Sequence, residues 1–187
     1  MRIAITGGIA TGKSTILEEW RRHGIEVGDA DRVVADLWAD PDVLGEVASA
    51  AQSLGAVAGS KDEVRQLLTR SPEFRVAVNQ IFHPRVVRHI RASKVEVWEV
   101  PLLIETCWLS DFDRILLISA PREIALERLS QRTGDPVLAD KLLSTQLPIS
   151  AKSAFADAIV RTDRRLDAVL EEARGIGSAW LEEWRHD

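Results

Sequence analysis

The stretch Gly7-Gly8-Ile9-Ala10-Thr11-Gly12-Lys13-Ser14 constrains this chain more than any other part of it. It satisfies G-x-x-x-x-G-K-[ST] at every fixed position, and it stands where that pattern has physical meaning. A short apolar run, Arg2–Thr6, reads as a buried strand before it. A helical pattern from Lys13 to His23 follows, closed by Gly24. Glycines there let the backbone wrap so that several N–H groups converge on a phosphate chain, and the start of the helix adds its positive dipole end. In such a loop Lys13 reaches the β- and γ-phosphates and the Ser14 hydroxyl ligates Mg²⁺, with Thr15 beside it. A strand–loop–helix of this kind belongs to a three-layer α/β/α core of the P-loop NTPase type, built on a parallel sheet.

The rest of the chain agrees with that core. Glu26–Gly28, Val95–Val100, Arg114–Ser119 and Ala158–Val160 read as further strands, and RILLIS at 114–119 is the near-continuous apolar run of a strand covered on both faces. Between Arg32 and Arg91 strand signals almost vanish, so residues 35–93 are expected to form a helical insertion, an acceptor subdomain within one 187-residue domain. Ser71-Pro72-Glu73 is a helix start, with a Ser cap, Pro at the first position and an acid in the first turn. Phe74, Val78, Ile81 and Phe82 follow at helical spacing; His83-Pro84 is expected to interrupt before Val86, Val87 and Ile90 resume. Pro121 opens a helix through Leu129, Thr133–Val137 reads as a loop, and Lys141–Leu147 as a further helix; residues 128–148 together are expected to be a lid. The last helix places Leu166, Val169, Leu170, Ala173, Trp180 and Trp184 on one stripe.

Composition removes several classes of function. A net charge of −5 argues against a nucleic-acid partner, although a local basic cleft for an anionic ligand is compatible with it. No run approaches the ~18–20 apolar residues of a membrane span, and the MRIAIT opening lacks the length and cleavage site of a signal peptide. Cys107 is the only cysteine, and no Cys/His cluster has zinc spacing. A cytoplasmic protein, monomeric or weakly self-associating, is expected. The six Trp read as core or cover residues, and His23, His89 and His186 as surface histidines.

A GTPase would carry an Asn-Lys-x-Asp element, and the chain has none. Motors and transporters need larger additional domains. The remaining P-loop class is a small-molecule kinase, which needs an acceptor site, a group to handle the acceptor hydroxyl and cations over the moving phosphoryl. Asp29-Ala30-Asp31 follows the second strand on the ligand-binding edge of such sheets; it reads either as the hydroxyl-handling pair, on one side if the strand continues, or as a turn in which Asp31 caps the next helix. Arg128 and Arg132 lie four apart, so they share a helix face: either lid cations for the phosphates or members of ordinary surface ion pairs. Glu105, ending PLLIE, is either a water-mediated Mg²⁺ partner and acceptor-pocket residue or a helix-start carboxylate, with Glu99 a second acidic candidate.

Taken in order, TGGIATGKST, GDAD, FHP, VPLLIE, RLSQR and a later Gln-x5-Lys element resemble the dephospho-CoA kinase family over nearly the whole chain. The resemblance implies a P-loop kinase core with a helical CoA domain and a lid, moving the γ-phosphoryl of ATP to the 3′-hydroxyl of dephospho-CoA. It implies ATP binding by Gly8, Ile9, Ala10, Thr11, Gly12, Lys13, Ser14 and Thr15, with Mg²⁺ on Ser14. Asp31 would be the general base, and Lys13, Arg128 and Arg132 the catalytic cations. Asp31, Arg65, His83, Leu102 and Glu105 would serve the acceptor, and Gln146, Lys152 and Asp157 match the later pattern that leads to the adenine end. Three features depart from the family pattern. Ala10 stands where a glycine is usual and is expected to be tolerated. Residues 58–70 are shorter than usual and lack the usual Phe. Arg161-Thr162 stands where an Asn near the adenine is usual. Another small-molecule or nucleoside kinase, and a non-catalytic ATP-binding regulator, are the alternatives.

Overall fold

In a computed structural model the chain is described over residues 1–186, and its side chains through Glu182. Strands β1 (Ile3–Gly7), β2 (Val27–Asp29), β3 (Val97–Glu99), β4 (Arg114–Ser119) and β5 (Ala158–Arg161) form one sheet in the order β2-β3-β1-β4-β5. β1 runs parallel to both β3 and β4, and β4 parallel to β5. Residues of β1 are buried throughout, as its central place requires. Alternation sends Ile3 and Ile5 to one face, where with Val97, Leu116, Ile118 and Val160 they meet Ile16, Leu17 and Trp20 of helix α1 (Lys13–Arg22). Val169, Ala173 and Leu181 of the terminal helix, Leu166–His186, complete that core.

Contacts divide the chain into two compact units, Met1–Gly28 with Lys94–Asp187, and Asp29–Ser93. The second is wholly helical after its first residue: α2 (Ala30–Leu37), α3 (Pro41–Ser53), α4 (Lys61–Arg70) and α5 (Pro72–Ala92). Its own core is Val43, Val47, Ala51, Val64, Phe74, Val78 and Phe82. A capping box starts α4, with the Ser60 hydroxyl accepting from Glu63 N and the Glu63 carboxylate accepting from Ser60 N. At α5 the Ser71 hydroxyl accepts from Phe74 N at 3.0 Å, and buried residues then recur every four positions from Phe74 to Ile90.

Three sequence expectations fail. His83-Pro84 does not interrupt α5, which runs through it. A proline at this point removes the N–H that would have reached Gln80 O, yet the four-residue apolar stripe continues unbroken on both sides of it, and that burial holds the helix together through the lost bond. Thr133–Val137 is not a loop: α6 (Arg122–Thr133) continues past Leu129, stops at Gly134 (φ 69°), and α7 (Pro136–Ser144) starts at once. Asp135 caps it, accepting from Val137 N and Leu138 N, and Pro136 occupies its first position. A short α8 (Ile149–Ser153) follows. On the terminal helix, labelled α9, Leu166 is exposed rather than part of the buried stripe, and the Trp184 and His186 side chains lie outside the described ones.

Two glycines separate space from conformation. A Cβ on Gly28 would lie 2.5 Å from Trp98 Cε3, so the indole packs where a side chain would be. Gly45, inside α3, has open space around it. Gly28→Ala is therefore expected to lower unfolding stability by about 1–3 kcal/mol. Gly45→Ala should raise it by about 0.5–1 kcal/mol, both read from urea unfolding midpoints.

Candidate active site

The phosphate loop leaves β1 at Gly7, whose φ is 154°; a Cβ there would sit 2.3 Å from the carbonyl oxygen of Ile118. Only glycine allows that approach of two backbones. Gly12 caps α1 at φ 92°, in the left-handed region. Between them Ala10 also has a positive φ, 59°. A Cβ in this region costs about 1–2 kcal/mol, so the alanine that the sequence presents as a tolerated departure sits in a corner suited to glycine. Thr11 is buried, and its hydroxyl donates to Gly8 O at 2.9 Å, closing the loop on itself.

Lys13 lies in the first turn of α1, and its ammonium donates to Gly7 O at 3.2 Å and Gly8 O at 3.0 Å. Its ammonium therefore lies on the Gly7–Gly8 side of the loop, with Thr15 at the opposite end. A cleft of about 580 Å³ flanks the first side, bordered by Gly8, Ile9, Pro121, Gln146 and Leu147. Another, about 290 Å³, flanks the second, lined by Gly12, Thr15, Ile16, Arg128, Thr162 and Arg164. Ser14 is exposed in the first turn of α1. Among the described residues no three His, Cys, Asp or Glu groups form a cation cage. The Ser14 hydroxyl is a hard oxygen donor that fits Mg²⁺, which commonly keeps several waters and arrives with phosphates. Glu99 ends β3 in register with Ile5 of β1, on the same edge of the sheet as the loop.

Arginines border both clefts, and most are paired with acids. Arg122 bonds Asp140 at 2.8 Å and Arg161 bonds both oxygens of Asp163 at 3.2 and 2.7 Å. Bonded this way by Arg161, the Asp163 carboxyl is held below the usual aspartate range. Arg164 pairs with Glu172. Arg128 differs: it donates to Thr162 Oγ1 at 2.9 Å and Thr162 O at 2.7 Å, both uncharged acceptors, so those bonds leave its charge uncompensated beside Gly12 and Thr15. Arg132 is exposed on the last turn of α6.

The Gln-x5-Lys element ties the segment after α7 to the core. Gln146 Oε1 accepts from Ile9 N of the phosphate loop at 2.9 Å. The adjacent Leu147 N donates to Glu105 Oε1 at 3.4 Å, and the fully buried Lys152 ammonium lies 2.6 Å from the same oxygen. That contact is a charge pair without hydrogen-bond alignment, and Glu105 Oε2 is enclosed with no hydrogen-bond partner among the described residues. Asp157 pairs both backbone groups of Ile115, its Oδ2 accepting from Ile115 N at 2.7 Å and its N donating to Ile115 O at 2.9 Å, which starts β5 against β4. None of these contacts has a short-range sequence signal, because each joins segments far apart in the chain.

In the helical unit, Asp29 rather than Asp31 is the cap: its carboxylate accepts from Arg32 N at 3.1 Å. The strand ends at Asp29, so the two acids do not share a strand face; Asp31 is exposed in the first turn of α2. Arg65 is exposed on α4, 3.8 Å from Asp62, and His83 is exposed on α5. Leu102 is about half exposed in the turn after β3, and Pro101 O there accepts from the Thr6 hydroxyl at 3.2 Å.

The dephospho-CoA kinase family profile matches residues 1–168. The chain belongs to the dephospho-CoA kinase family. It is an ATP-dependent kinase acting on a hydroxyl group. A dephospho-CoA kinase of Streptococcus mutans is 34% identical over 88% of this chain and 90% of its own, and one of Acinetobacter baylyi 32% identical over 96% and 97%. Among solved structures, TT1252 from Thermus thermophilus superposes with a TM-score of 0.78 at 25% identity, covering 97% of both chains. A shikimate kinase from Acinetobacter baumannii shares the fold, with a TM-score of 0.56 at 17% identity over 97% of this kinase and 93% of its own chain.

Lys152→Met strands the Glu105 carboxylate in a largely enclosed site and is expected to cost about 3 kcal/mol. The double change with Glu105→Leu should recover most of that loss, read from thermal unfolding. Ala10→Gly should raise stability by about 1 kcal/mol by relieving the left-handed corner.

Proposed function

We propose that this kinase transfers the γ-phosphoryl of ATP to the 3′-hydroxyl of dephospho-CoA, giving CoA and ADP. The family match over residues 1–168 supports the acceptor, and the orientation of Lys13 across the Gly7–Gly8 side of the loop, with a cleft at either end, supports the placement of the nucleotide. The triphosphate would lie in the amides of Gly8 to Thr15, its terminal phosphate toward Gly7 and Gly8. The base would then enter the cleft beyond Thr15, where the flat guanidinium of Arg128 offers it a face; this gives Arg128 a place at the nucleotide's base end instead of the role of catalytic cation expected from the sequence. Mg²⁺, when bound, would neutralise charge on the phosphates, with Ser14 holding it.

The residues of this chain then have distinct tasks. Lys13 holds the terminal phosphates in place and stabilises charge as it develops on them. Asp31 orients the attacking hydroxyl and takes its proton late in a loose transition state. Arg132, at the end of α6, is the second cation for the moving phosphoryl. Arg65, His83, Leu102 and Glu105 are assigned to the acceptor, with Glu105 acting through the segment that it anchors at Leu147. We place the enzyme in the cytoplasm, where ATP is supplied, as a monomer or weak homo-oligomer.

Incubation with MgATP and dephospho-CoA should yield CoA by mass, with clear preference over free adenosine; product from adenosine alone would point to a nucleoside kinase. Lys13→Ala should lower kcat/KM by about a hundredfold or more. Asp31→Asn should lower kcat by about 10²–10⁴-fold while ADP affinity, measured by calorimetry, stays near that of the unaltered enzyme. Unchanged turnover would remove Asp31 from the mechanism.

A further inference from the structure

One residue at which the chain departs from the family pattern joins the phosphate loop to its neighbouring cation. Thr162 follows β5 and is only 7% exposed. Its hydroxyl oxygen lies 2.7 Å from Thr11 O, 2.9 Å from Arg128 Nη1 and 3.3 Å from Ser119 O. A hydroxyl has one proton to give and lone pairs to receive. The guanidinium can only donate, so the hydroxyl accepts from Arg128. Its own proton goes to Thr11 O, the nearer carbonyl, while Ser119 O is already served by Thr162 N at 2.9 Å. The Thr162 carbonyl takes Arg128 Nη2 at 2.7 Å, so both terminal nitrogens of the arginine end on one residue. On its other side the Thr162 methyl lies 3.4 Å from where a Cβ on Gly12 would be, covering the left-handed corner that starts α1.

We propose that Thr162 is a positioning residue for phosphoryl transfer, its hydroxyl locking the phosphate loop at Thr11 to the guanidinium of Arg128 so that both meet the nucleotide in one preset arrangement. The proposal rests on the reading that this loop holds the phosphates of ATP. Three consequences follow from the chemistry. Removing the hydroxyl leaves Thr11 O without its donor and releases one arm of Arg128. Donors that must be reorganised when the nucleotide arrives bind it less well than donors already aimed. And since the contacts lie on the nucleotide side only, the acceptor's binding is untouched.

The test is a set of variants assayed for ADP affinity by calorimetry and for steady-state kinetics with both substrates. Thr162→Val keeps the shape and removes the hydroxyl. It is expected to weaken ADP binding and raise KM for ATP about tenfold, the scale of one charge-assisted hydrogen bond. KM for dephospho-CoA should stay within about twofold. Thr162→Ser keeps the hydroxyl and should restore nucleotide affinity to within about threefold. Arg128→Lys cannot form the fork, and combined with Thr162→Val it should cost clearly less than the sum of the two single changes. If Thr162→Val does not fold, Thr162→Ala, which makes no steric demand, takes its place in the same cycle.

Nucleotide affinity unchanged in Thr162→Val overturns the proposal. So does an equal defect in Thr162→Ser, which would make the methyl over Gly12 the important group, or strict additivity with Arg128→Lys. Lys13→Ala is measured alongside. If that variant binds ADP normally, the loop reading falls and takes the proposal with it; if it is impaired while Thr162→Val is not, the proposal alone falls.

Discussion

The approach of Gly7 to the carbonyl of Ile118 is the contact on which the rest of this site depends. It brings the end of β1 directly against β4, at a separation that no side chain permits. The loop that leaves Gly7 is thereby registered to the C-terminal ends of the strands, with β4 on one side and β3 on the other. Contacts that hold the loop from outside come from chain segments fixed by the same sheet. Gln146 arrives after α7, and Thr162 arrives directly after β5, which Asp157 aligns on β4. A phosphate loop is often described by its own glycines. Here much of its rigidity comes from side chains more than a hundred residues away.

Electrostatics follow the same arrangement. The sheet edge collects arginines from α6 and from the turn after β5, and carboxylates nearby neutralise several of them. Arg128 is bonded to a hydroxyl and a carbonyl instead, so its orientation is set without its charge being cancelled. An orienting contact with a neutral partner leaves a cation available to a ligand, because no ion pair has to be broken first. The buried Lys152–Glu105 pair works in the opposite way. Each charge there is held by the other, and the pair anchors the turn after β3 to the segment that delivers Gln146.

Much of this was legible in the chain because local chemistry decided it. The phosphate loop, RILLIS as a central strand and the Ser71 cap each depend on residues within one turn or strand. Elsewhere two signals competed within a few residues, and packing decided between them. Pro84 marks a break by its own geometry, but a continuous apolar stripe carries α5 through it. At GDAD two acids compete for one cap, and a strand ending one residue later than Gly28 gives it to Asp29. Asp135-Pro136 was a readable helix start that a glycine immediately before it concealed. Thr162 stood out only as a departure from the family pattern, since nothing in its neighbours along the chain points to Thr11 or Arg128.

The division of the chain into Met1–Gly28 with Lys94–Asp187, and the continuous Asp29–Ser93, also bears on how the molecule is made. β1 has no strand partner until Val97, and its other neighbour begins at Arg114. The first strand must therefore wait, as the ribosome extends the chain, for a closure spanning more than ninety residues. The helical unit needs no such wait, because its core joins segments close in sequence. An early helical body that shortens the effective loop would lower the entropy of bringing Ile3 to Val97. A compact inserted segment thus shortens the chain that has to be closed between Ile3 and Val97, whatever else it does.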